Sequence, residues 1–273
     1  MDNITIINKE LNQQFVCTDI GTYPQGFEFP SARNVFIDPP GRPGSLYISS
    51  LSGHRSLSWQ GVIKTDIAAN RRLLSLVCQI GSLKTIQFET CDGLALQTDI
   101  EIESLINPYR HNSSPYAIFA IAPDYKLLSQ QLITAQTGIT QVNGGTPIPA
   151  AIPAPIPGGS SLSFVVNNQG TVNAQPVLMV RGPGTNFLIQ NITTGQKINL
   201  NLTLLSNETV TINTKTSIAT KGNQNVYGSV VRTPAGSWLY LAPGNNTIVF
   251  DAQSGSNANT RLTIEYRHSY GGI

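Results

Sequence analysis

Hydrophobic and polar residues alternate through most of the second half of the chain. In Ile198-Asn199-Leu200-Asn201-Leu202-Thr203-Leu204 every second residue is apolar, and Val210-Thr211-Ile212 and Leu262-Thr263-Ile264 repeat the pattern. A period of two puts the apolar set on one face of a strand and the polar set on the other. The spacing predicts strands at 161–166, 176–181, 187–192, 197–204, 209–213, 226–231, 237–241, 247–251 and 261–266. Turn-forming sequences separate them, among them Gly182-Pro183-Gly184, Thr194-Gly195 and Pro243-Gly244-Asn245-Asn246. Eight or nine strands in about 115 residues, with no helix, predict a β-sandwich of the jelly-roll type.

The first half is mixed. Short β-prone segments fall at 34–37, 45–50, 56–63, 85–89 and 116–122. The segment 66–81 reads differently: Leu73, Leu74, Val77 and either Ile80 or Cys78 recur at helical spacing. Asp66 suits an N-cap and Gly81 the left-handed residue past a helix end. The expectation is a small β-barrel or sheet with one packed helix. Between the halves, Thr146-Pro147-Ile148-Pro149-Ala150-Ala151-Ile152-Pro153-Ala154-Pro155-Ile156-Pro157-Gly158-Gly159 holds five prolines. They fix φ and remove amide donors, which excludes helix and central strand and favours an extended connector. The expected organisation is therefore an N-terminal domain over 1–146, a linker over 147–159 and a sandwich over 160–273.

Composition narrows the reading. Of the 273 residues 40% are hydrophobic and 12% charged, with 24 Gly and 17 Pro. The charged share is half of the roughly 25% usual in globular chains, so polarity rests on Asn, Thr, Ser and Gln. Such a surface can meet other protein without burying charge. A net charge of +2 is too small for a general nucleic-acid binder. Residues 158–273 carry 7 basic and 3 acidic side chains. No basic segment leads into an apolar core at the start, and no apolar run reaches about 18 residues, so neither a signal peptide nor membrane insertion is expected. Asn-x-Ser/Thr triplets at Asn191, Asn201, Asn207 and Asn245 follow from the abundance of Asn and Thr.

Candidate chemistry is sparse. Cys17, Cys78 and Cys91 are too few and too scattered for a disulfide framework, and no Cys-x-x-Cys occurs. With His54, His111 and His268 also dispersed, no metal or other cofactor is expected. Glu101 and Glu103, beside Asp99, share one face of an extended segment; a solvated strand face is the simpler reading than an acid–base pair. Neither a Gly-x-Ser-x-Gly elbow nor a His-Glu-x-x-His helix is present. The chain is not expected to be an enzyme. Gly41-Arg42-Pro43-Gly44 lacks the Gly-Lys-Ser/Thr ending of a phosphate loop and reads as a rigid turn presenting Arg42, either a connector or a subunit contact. Trp238 and Tyr240 share a face of the expected strand at 237–241. That face is core or, with Tyr227, a platform for sugar rings, so a carbohydrate-binding, lectin-like module is the alternative function.

The second half resembles the C-terminal domain of the distal tail proteins of long-tailed, non-contractile bacteriophages. The resemblance rests on Asn191-Ile192-Thr193-Thr194-Gly195, then Glu208-Thr209-Val210-Thr211-Ile212-Asn213, then Ser237-Trp238-Leu239-Tyr240-Leu241-Ala242-Pro243-Gly244-Asn245-Asn246, and the closing Thr263-Ile264-Glu265-Tyr266-Arg267-His268-Ser269-Tyr270. Pro40-Gly41-Arg42-Pro43-Gly44 looks like that family's early Gly-Arg-x-Gly turn, and the helix at 66–81 falls where the family places one. The resemblance implies a galectin-like sandwich and an N-terminal domain that builds a homohexameric ring, with Gly41, Arg42 and Gly44 at its interface. It further implies that the ring encloses the path of DNA without sequence-specific binding. Its implied partners are the tail tube protein, the tail-tip hub protein, and side fibres or a receptor-binding protein for host attachment. Its implied place is the tail tip of the virion, after synthesis in the bacterial cytoplasm.

Overall fold

Alternating apolar residues become buried ones along nearly every strand. The computed structural model describes residues 3–21, 24–30, 32–37, 40, 43, 45–108, 112–138 and 162–273. They form two units, Met1–Gln131 with Ser269–Ile273, and Leu132–His268. Strands dominate both, so the fold is mainly β.

The first unit contains β1 (Ile4–Asn8), β2 (Gln13–Cys17), β3 (Ala32–Ile37), β4 (Leu46–Ser52), β5 (Arg55–Ile63), α1 (Ile67–Val77), β6 (Lys84–Glu89), β7 (Ala95–Ile106), β8 (Ser114–Ala122) and β9 (Leu127–Ser129). Its main sheet is antiparallel in the order β2-β1-β6-β7-β8-β5, with β9 added beside β7. Helix α1 touches β1 and β2 at one end of that order and β5 at the other, so the sheet curls until its end strands flank the helix. Ile6, Phe15, Trp59, Leu74, Ile86, Phe88, Ile100 and Ile118 fill the core.

Two features of α1 differ from expectation. Asp66 precedes the helix in the left-handed region, φ 42°, and its side chain makes no capping bond. The helix stops at Val77, so Cys78 is buried while Ile80, past the end, is exposed. Beyond the stop, Lys84 ties down the chain. Its buried ammonium donates to the carbonyl of Gln79, to the Ser82 carbonyl at 2.8 Å and to Ser82 Oγ at 2.6 Å. A cation beside free carbonyls just past a helix end is favourable.

The second unit contains β10 (Ile133–Gly138), β11 (Leu162–Asn168), β12 (Val177–Arg181), β13 (Gly184–Asn191), β14 (Gln196–Leu204), β15 (Thr209–Asn213), β16 (Ile218–Lys221), β17 (Gln224–Asn225), β18 (Val230–Thr233), β19 (Gly244–Ser254) and β20 (Arg261–Tyr266). One sheet runs β10-β20-β12-β15-β16-β17 and the other β11-β19-β13-β14-β18. Their inner faces share a single apolar cluster that includes Leu178, Val180, Phe187, Ile189, Ile198, Leu200, Ile212, Phe250, Leu262 and Ile264. This is the expected sandwich.

Unit boundaries differ from those read in the sequence. Residues 132–138, placed with the first domain, form β10 and pair with β20. Residues 269–273, placed with the sandwich, belong to the first unit, where β21 (Ser269–Tyr270) pairs with β9. The proline-rich run at 146–159 lies outside the described residues, within the sequence span of the second unit. Proline marks where secondary structure stops; strand pairing decides which core a segment joins.

Candidate functional site

The three residues singled out for assembly, Gly41, Arg42 and Gly44, lie outside the described residues. The strands on either side are β3 and β4, which pair with each other in a ribbon. Val35, Phe36, Ile37, Tyr47 and Ile48 on this ribbon are all exposed, Phe36 at 55% and Tyr47 at 59%. Phe36 and Tyr47 are cross-strand partners with ring centroids 5.9 Å apart. A two-stranded ribbon is marginal in water on its own, and grouped exposed apolar side chains mark interaction surfaces.

The carboxylates at 99, 101 and 103 stand on the exposed face of β7, while Leu96, Ile100 and Ile102 point into the core. Asp99 accepts a hydrogen bond from Thr85 Oγ1 at 2.6 Å and lies 3.6 Å from Lys9 Nζ. This is the solvated strand face. His54 is exposed, His111 is outside the described residues, and His268 Nδ1 accepts from the Gln169 amide at 3.1 Å. Among the described residues no three His, Cys, Asp or Glu side chains are placed to hold a metal. Cys17 and Cys78 are buried, which pushes their thiols up to about 11 and about 12. Such groups are poor nucleophiles.

The segment at 237–241 is not a strand. Its apolar alternation is real, since Leu239 and Leu241 are buried, but only Leu241 makes a ladder-type bridge, to Ala174. Side-chain amides hold the rest. Gln196 Oε1 accepts from the Tyr240 amide at 3.1 Å, and Asn191 Nδ2 donates to the Tyr240 carbonyl at 2.9 Å and to Asn246 Oδ1 at 3.0 Å. Asn246 in turn takes the Ala242 amide at 2.9 Å and gives to the Ala242 and Gly244 carbonyls. Asn168 donates to the Val172 and Leu241 carbonyls. Asn168, Asn191 and Asn246 are fully buried. The Asn-x-Thr-Thr-Gly and Pro-Gly-x-Asn motifs thus supply a buried amide frame, and Asn191 is closed to glycosylation in the folded unit.

Trp238 packs partly against the sandwich core, and its ring carries the Arg232 guanidinium 4.5 Å from the centroid. Arg232 also lies 5.4 Å from the Tyr227 ring and donates to the Tyr227 hydroxyl at 2.8 Å. Trp238 and Tyr240 therefore do not form a strand-borne platform, and Trp238 already stacks on a cation.

One residue with a large structural role went unnoticed in the sequence. Arg55 is only 2% exposed. Its guanidinium donates to the carbonyls of Gly26 (2.7 Å), Glu28 (2.5 Å), Tyr125 (3.2 and 2.6 Å) and Gly271 (2.6 Å). The signal was there: Arg55 shares its parity with Leu57, Trp59 and Ile63, the buried set of β5.

Residues 169–270 match the family model of the siphovirus-type tail component, C-terminal domain. No curated protein matches the sequence. Among solved structures, the Dit protein of phage SPP1, described as a paradigm of the hub adsorption apparatus in phages infecting Gram-positive bacteria, aligns with a TM-score of 0.63 at 12% identity, over 97% of this chain and 98% of that one. A chain of the phage p2 baseplate in its activated conformation with Sr aligns with a TM-score of 0.51 at 10% identity, over 99% of both chains. Those identities speak for the fold, and the family match speaks for the sandwich that Asn191 and Asn246 frame. The second unit thus matches the C-terminal domain of siphovirus-type tail components, and the chain as a whole shares the fold of the SPP1 Dit protein.

Proposed function

We propose that the protein is a structural component of a phage tail tip. Copies of the first unit join head to tail into a homohexameric ring between the tail tube protein and the tail-tip hub protein. The sandwiches present side fibres or a receptor-binding protein, and the ring surrounds the DNA path without reading its sequence. The observation that carries this reading is the match of the sandwich to the siphovirus-type tail component family. The apolar β3–β4 ribbon supports self-association, because a heterologous contact repeated around an axis closes into a ring. The lectin-like alternative loses its strand-borne platform, because 237–240 form no strand and Arg232 stacks on the Trp238 ring.

Light scattering on the purified chain tests the ring. The expected result is a six-copy mass that falls when Phe36→Ser and Tyr47→Ser are combined. A single-copy mass at every concentration would overturn it.

A further inference from the structure

The segment at 269–273 is reached only after the whole second unit has been threaded, yet it sits in the first. Ser269 and Tyr270 pair with Leu128 and Leu127, Tyr270 joins the apolar core of the first unit, and the Ile273 amide donates to the Phe27 carbonyl at 3.1 Å. Between them, the Gly271 carbonyl takes an Arg55 donor. The other acceptors of that buried guanidinium come from residues 26, 28 and 125. Two glycines make the seat possible. A Cβ on Gly272 would lie 2.4 Å from the Phe29 amide nitrogen and 2.7 Å from the Glu28 carbonyl carbon. One on Gly271 would lie 2.2 Å from the edge of the Phe29 ring. The ring can turn aside; the backbone cannot.

A buried guanidinium is stable only when its donors are taken up. Without 269–273, Arg55 loses the Gly271 acceptor, β9 loses its β21 partner and the core beside Tyr270 opens to water. We propose that this returning segment is a closing strap. The first unit reaches its native packing only once the strap docks. The strap is recognised as an extended glycine-bearing peptide that presents a carbonyl to Arg55.

Hydrogen–deuterium exchange on the protein ended after His268, compared with the full chain, tests this. The expected result is exchange at least tenfold faster for amides of β5, β8 and β9, with protection in β12 and β20 kept. A synthetic peptide of residues 268–273 restores the slow exchange, and the same peptide carrying alanine at both glycines does not. Because the shortened chain can misfold for other reasons, the full chain with Gly272→Ala is measured alongside, and the same β5, β8 and β9 amides are expected to accelerate. Unchanged exchange in Gly272→Ala, or no difference between the two peptides, overturns the strap. The readout does not depend on copy number, so it stands apart from the ring: a protein that stays single but shows the strap behaviour refutes only the ring.

Discussion

Both units must pin loops over the ends of their sheets, and they do it with different chemistry. The first uses cations, Arg55 and Lys84, each buried and surrounded by backbone carbonyls. The second uses neutral amides, Asn168, Asn191, Gln196 and Asn246, which both give and take hydrogen bonds. A guanidinium reaches several carbonyls from one point and so gathers segments far apart in sequence, here 26–28, 125 and 271. An amide gives and takes at once, so the second frame satisfies donors as well as acceptors where it joins 168, 191–196 and 240–246. The cost of failure differs too. An unpartnered charge in a low-dielectric site is far more expensive than an unpartnered amide.

That contrast can be broken by substitution. Arg55→Met strips donors from four carbonyls at once and is expected to destabilise the first unit by about 3–5 kcal/mol, leaving the unfolding of the sandwich unchanged when each unit is followed by exchange or proteolysis. Asn246→Ala removes one amide from the second frame and is expected to cost about 2–3 kcal/mol. Its effect should be confined to the sandwich; equal losses in both units would show that they do not fold independently. Thiol alkylation sharpens the picture of the first core. In the native protein Cys91 labels and Cys17 and Cys78 do not, as read by mass spectrometry. All three label once Arg55 is replaced.

The smallest effect concerns pH. Glu208 accepts the Leu205 amide at 2.8 Å and pairs with Lys221 at 2.9 Å, which holds its carboxyl below the ordinary 4.5. A carboxyl depressed on folding favours the folded state above its unfolded value, and that contribution fades as pH falls through the lower folded value. Glu208→Gln should therefore flatten the sandwich's acid-side stability curve below about pH 4.5 and leave it unchanged at pH 7 in shape.

The sandwich was the more legible half because its strands obey strict alternation over one apolar core. Thr209–Asn213 and Arg261–Tyr266 were read to the residue. Its failures came where alternation occurs without a ladder, as at Leu239 and Leu241, or where a 3-10 turn at Tyr227–Ser229 interrupts the expected strand at 226–231. In the first unit β7 shows in the sequence only as the solvated face of Asp99, Glu101 and Glu103, because those carboxylates lower strand propensity and hide its full length. The roles of Arg55 and Lys84 were hidden for a related reason. A buried cation looks like a surface residue until the parity of its strand is counted, and the segments that Arg55 gathers are remote in sequence.

Electron cryomicroscopy of the phage particle that carries this protein tests the tail-tip assignment most directly. The account predicts six copies in a closed ring at the distal end of the tail, first units around the channel and sandwiches outside. Finding the chain elsewhere in the virion, or absent from it, would contradict the account.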